Sequence, residues 1–181
     1  MRMERHEQIS VIVAKFFKEG RDTNPYASAE AMRSLDHVIR TGLADSLAHA
    51  AAAWRAVYQE QNRVMGTPTR ENPFPDREAL AKLRQLKETA DAASEWVSRI
   101  HALEAPANDR VYHRIRDNNQ LLELLIDVDY QLAASADAIE AATDGLTARN
   151  ADERLATFQT QLDAFAQAVR ERTRLIKSVP A

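Results

Sequence analysis

Apolar residues recur along this chain at alternating steps of three and four, the spacing that lines one face of an α-helix. Five stretches carry the pattern. The first predicted helix falls within residues 1–20 and stops at Gly20, with Ile9, Val11, Ile12, Val13, Phe16 and Phe17 covering more than one face. A helix apolar over so wide an arc needs covering over a wide arc. The second is predicted over 25–65, opening at Asn24-Pro25 and carrying Met32, Leu35, Ile39, Leu43, Leu47, Trp54 and Val57 at helical spacing. Gly42 lies inside it, either tolerated or breaking it in two. The third is predicted over 76–104, with Asp76 as N-cap and Leu83, Leu86, Ala90, Ala93, Val97 and Ile100 as its seam.

The fourth, predicted over 109–144, has the most regular seam: Val111, Ile115, Asn118, Leu122, Leu125, Asp129, Leu132, Ala136 and Ile139. Almost every position from Leu121 to Val128 is apolar, which makes this the expected central helix. The fifth, over 150–178, opens on Asn150 and Glu153, the spacing of a capping box. Its seam runs through Leu155, Phe158, Leu162, Phe165, Val169, Arg172 and Ile176. The connections are short to medium, and the longest, Gly66 to Pro75, contains three prolines that forbid helix. No stretch alternates as a strand does. The expected fold is all-α: one domain, an antiparallel four-helix bundle with coiled-coil-like seams and a short additional N-terminal helix.

Three seam positions are polar. Asn118, Asp129 and Arg172 are expected to be buried and therefore paired, because a buried polar group without a partner costs about 1–3 kcal/mol and a charge costs more.

Composition narrows the functional classes. With four glycines in 181 residues, all far apart, no glycine-rich phosphate loop or dinucleotide fingerprint can be built. No serine lies in a nucleophile elbow. With no cysteine, disulfides and thiolate metal sites are excluded. No run approaches the roughly 18 apolar residues of a membrane span, and the start lacks a signal-peptide pattern, so the expected location is cytoplasmic. The formal net charge of -3 argues against a surface wholly devoted to nucleic acid.

Candidate chemistry is sparse. Asp45/His49 and Asp109/His113 are spaced to share a helical face, but an ordinary surface pair explains each. Glu88 and Asp91 resemble half of the magnesium site of helical nucleotide pyrophosphohydrolases, with Glu123 and Asp127 at about the same height on the next helix. The seams nevertheless put all four acids on outer faces, where a solvated acidic surface is the plainer reading. No cofactor is expected. Arg110, His113, Arg114, Arg116, Arg172 and Arg174 collect at one end of the bundle as a candidate anion or partner patch. Arg110, Arg114 and Arg116 stand at a helix N-terminus in this reading, where the dipole disfavours cations.

The expected function is that of a non-enzymatic protein acting through protein–protein contact. A homodimer is expected, with Ile9, Val13, Phe16 and Phe17 in its interface, because the first helix carries more apolar surface than one seam needs. The alternatives are a module that binds nucleic acid or another polyanion at the basic end, and a metal-dependent hydrolase using the helical acids.

Overall fold

The computed structural model describes residues 26–66, 70, 76–103 and 109–179. The described residues are all-helical: α1 (Ala29–Met65), α2 (Arg77–His101), α3 (Asp109–Arg116), α4 (Asn119–Thr143) and α5 (Ala151–Ser178). The predicted first helix lies outside the described residues.

Each start has a local cause. The Ser28 side chain accepts the Ala31 amide at 3.1 Å and so caps α1, which begins there rather than straight after Pro25. Asp76 caps α2 in the same way through the Ala79 amide, as its position in the sequence predicts. Gly42 does not break α1, which runs unbroken for 37 residues and ends at Gly66 with φ of 71°. The positive φ there favours a residue without a Cβ.

The continuous helix expected over 109–144 is two helices. Asn118 takes an extended conformation, and its Oδ1 accepts from the Gln120 and Leu121 amides, which starts α4 afresh. A short amide side chain competes for backbone donors in this way wherever the helix can be interrupted. Asn118 is consequently exposed and not a buried seam residue. Asn150 also differs from expectation. It precedes α5 but makes no side-chain cap; its Oδ1 accepts from Thr147, and its side-chain amide donates to the Gly145 carbonyl, closing the turn itself.

Helix α1 packs on α2, α3 and α4, and α4 packs on α5. Arg40 reaches the Leu103 carbonyl and Arg55 reaches Ser94, so successive positions of α1 meet earlier and earlier positions of α2. At the other end of the molecule Lys82 pairs with Asp152 at 2.5 Å, and Gln61 donates to the Ala148 carbonyl.

The core follows the seams, from Met32 through Trp54 on α1, Leu86 to Ile100 on α2, Leu125 to Ile139 on α4 and Leu155 to Val169 on α5. The N-terminal part of α4 is less buried than its run of apolar residues suggests, since Leu124 is 51% exposed. Leu125 is closed off from water. Leu125→Ala is expected to cost about 2–5 kcal/mol in urea unfolding, from lost transfer energy and the cavity left behind. A loss below about 1 kcal/mol would show the site able to collapse around the smaller side chain.

Candidate functional site: a closed polar cluster

The seam polar residues Asp129 and Arg172 meet inside the molecule. Both are buried, and Arg172 Nε donates to Asp129 Oδ1 at 2.7 Å. Helix α1 supplies a third charge, Asp36, whose Oδ1 stands 2.8 Å from Arg172 Nη2. The other Asp36 oxygen accepts from Arg40 Nε at 2.9 Å, and Arg40 Nη1 continues to the Leu103 carbonyl at 3.0 Å. The second Asp129 oxygen accepts from the Tyr26 hydroxyl at 3.1 Å. Two carboxylates and two guanidinium groups thus form one connected cluster that ties the start of the described chain to α4, α5, α1 and the end of α2.

The balance of charge is held by opposing causes. Burial pushes the Asp129 carboxyl up, and the Arg172 charge with the hydrogen bonds from Arg172 and Tyr26 offsets this only in part. Burial works against the Arg172 cation, but Asp129 and Asp36 outweigh it and raise its pKa further. Burial and then Asp129 also raise the Tyr26 phenol. Such a cluster is worth little over an apolar core while intact and costs much when one member is removed.

Tyr112 of α3 is fully buried beside this cluster, and its hydroxyl has no hydrogen-bond partner among the described residues. Burial and then the Asp36 charge push its phenol up to about 12. The neutral phenol is therefore the folded form. Stability is intact below the unperturbed value of 10.0 and is lost as pH rises toward about 12. Tyr112→Phe is expected to leave stability unchanged or raise it by about 1 kcal/mol near pH 7, since the unsatisfied hydroxyl disappears. The same variant should lose less stability above pH 10, and a denaturation series across that range measures both effects.

Of the candidate patch residues, Arg172 is buried and the other five reach the surface. Arg172 belongs to the closed cluster and is withdrawn from any external anion. Arg116 pairs with its neighbour Asp117 at 3.0 Å. Arg110, His113, Arg114 and Arg174 are exposed. Because the helix ends at Arg116, His113, Arg114 and Arg116 occupy its last turn. There the dipole favours cations, so for Arg114 and Arg116 the helix end itself accounts for the charge, while Arg110 stands in the first turn as expected.

Glu88, Asp91, Glu123 and Asp127 are all exposed, and Asp91 is paired with Lys87 at 2.8 Å. Asp45 and His49 are exposed as well. Among the described residues no group of three or more metal-ligating side chains occurs. None of the described helices is long and apolar enough to cross a membrane.

One open concavity lies along α4 and α5. Its floor is small, with Ala134 and Ala138 from α4 and Ala164 and Ala168 from α5, and Tyr130, Gln161, Gln167 and Glu171 stand on its rim. Toward the start of α5 it continues past Ala141 and Thr157. Comparison with known proteins finds no match among family models, curated proteins or solved structures.

Proposed function

We propose that this chain is a non-enzymatic interaction protein that works as a homodimer, its four long helices arranged as an antiparallel bundle. The register of Arg40 with Leu103, Arg55 with Ser94 and Arg172 with Asp36 supports the antiparallel arrangement. The observation that carries the functional reading is the α4–α5 face. The charges of the buried cluster satisfy one another and aim no acid or base into a cleft, whereas this face offers an alanine-floored groove with a polar rim. Small side chains let a second helix approach closely, and a groove of this kind takes an amphipathic helix. A two-fold pair places the same face of both copies together, and two-fold pairing is the commonest form of self-association. The first-helix residues Ile9, Val13, Phe16 and Phe17, the interface expected from sequence, lie outside the described residues.

Light scattering tests this reading. The mass is expected to rise from that of the 20.4 kDa chain toward twice that value with concentration. Ala138→Arg, which places a charge on the groove floor, should hold it at the single-chain mass. A wild-type chain that stays monomeric at high concentration refutes the homodimer, and a dimer indifferent to the Ala138→Arg substitution moves its interface off this face.

A further inference from the structure

We propose that the outer edge of the α2–α5 seam, carried by Arg170, Arg174 and Lys177 with Arg99 beside them, docks an acidic α-helix of a partner protein. This surface lies on the flank of α5 away from the alanine-floored groove, so the two can be occupied independently.

Two contacts set the register. Lys82 pairs with Asp152 near the starts of both helices, and Trp96 packs edge-on against Phe165 further along both. The helices therefore advance in step along their shared side. Arg170 follows Asp152 by eighteen residues, five whole helical turns, and so points to the same side of α5 as the Asp152 that meets Lys82. Lys177 lies about 20° from that line and Arg174 about 40°. On α2 the Arg99 guanidinium stands 4.9 Å from the Trp96 ring centroid, which holds it over the seam. Arg99 is three residues past Trp96 and Arg170 five past Phe165, so the two stand within about 3 Å of one level along the axis.

The charge of this stripe has no use inside the molecule. Arg99 is paired with Glu95 on its own helix. Arg170, Arg174 and Lys177 are exposed, and among the described residues none of the three makes an ion pair. The helix dipole accounts for Lys177, which lies in the last turn of α5. Arg174 stands a turn earlier and Arg170 two, where that field has fallen away. The stripe is about 10 Å long. Exposed acids bound it: Asp163 two turns before Arg170, and Glu171 on the flank toward the groove, where Gln167 donates to it. A nucleic acid carries one phosphate per about 3.4 Å of each strand and would run on from the stripe onto Asp163. An acidic helix meets the stripe on its own scale. Carboxylates four and three residues apart on one helix repeat the rises of about 6 and 4.5 Å between Arg170, Arg174 and Lys177. Arginine clusters recognise acidic segments, and complementary charge selects the partner and its register.

Fluorescence polarisation of a labelled peptide with the full chain tests this. The probe is an alanine-based helix with glutamates at four- and three-residue spacing. Binding is expected at low ionic strength and should weaken about tenfold as salt is raised, since exposed ion pairs are screened. The triple change Arg170→Gln, Arg174→Gln and Lys177→Gln should weaken it by about tenfold. The triple change Arg63→Gln, Arg77→Gln and Arg84→Gln removes as much charge from the other end of the molecule and should leave binding within about twofold. A second peptide of the same composition, with its glutamates spread round the helix, should bind about tenfold less tightly. No binding at low salt, equal loss in both triple variants, or equal affinity for the two peptides overturns the proposal. A short single strand of DNA that binds more tightly than the first peptide also overturns it, and assigns the stripe to nucleic acid. A chain that binds the peptide yet scatters as a monomer refutes the dimer while leaving this surface in place.

Discussion

Arg172→Met is expected to destabilise the protein by about 3–5 kcal/mol, because it leaves Asp36 and Asp129 buried without their shared counter-charge. Methionine keeps much of the volume, so the loss reports charge and hydrogen bonding more than packing. Two further measurements separate these causes. In an Asp129→Asn background the same substitution should cost clearly less, since one of the stranded charges is already gone. The loss should also shrink as the pH is lowered. Burial already pushes the Asp129 carboxyl up, and without Arg172 it rises further, so a protonated Asp129 needs no partner. A urea series at pH 7 showing a loss below about 1 kcal/mol would mean that solvent reaches the cluster.

The second large effect belongs to the aromatic part of the core. Phe158 and Trp54 are both fully buried, with ring centroids 5.3 Å apart and planes tilted by 55°. Phe158→Ala is expected to cost about 3–5 kcal/mol, as removal of a buried aromatic ring does. The near-ultraviolet dichroism of Trp54 should weaken as its neighbour disappears. Phe165 also packs edge-on against a tryptophan, Trp96, at 5.5 Å, but Trp96 is half-buried and carries the Arg99 guanidinium over its ring. Trp96→Ala should therefore cost less than Phe158→Ala. Equal losses would show that the two ring pairs share one cavity.

Helix positions were legible in the sequence because periodicity and caps are local signals. Leu83, Leu86, Ala90, Ala93 and Ile100 are buried as their spacing predicts, and so are Leu155, Phe158, Phe165, Val169 and Arg172. The break at Asn118 was not legible as such. The residue falls on the seam of an unbroken helix, and whether a short amide caps or continues a helix depends on what surrounds it. The actual partner of Arg172, Asp36, carried a usable signal: it lies four residues after Met32 and three before Ile39, on the buried face of α1. Read beside its exposed neighbour His37 it passes for a surface acid, and only the meeting of α1, α4 and α5 identifies it as a core charge. Tyr26 and Tyr112 join the cluster from a turn and a short helix, where periodicity says nothing about neighbours.

The unbroken length of α1 constrains how this gene can change. At 37 residues the helix is about 55 Å long, and it holds Asp36 in the ionic cluster near one end and Trp54 in the aromatic core further along. Inserting or deleting one residue between Ile39 and Leu47 turns everything beyond it by about 100° and shifts it by about 1.5 Å, so the two anchors can no longer both face inward. Length changes there are tolerable only in near-whole repeats of seven. The turn from Gly145 to Asn150 lies between helices and can absorb single-residue insertions, since lengthening a surface loop costs only tenths of a kcal/mol, about 0.6 kcal/mol per doubling. Tolerated natural length variation in relatives of this chain should therefore collect at that turn, with α1 acting as the fixed ruler against which the other helices are set.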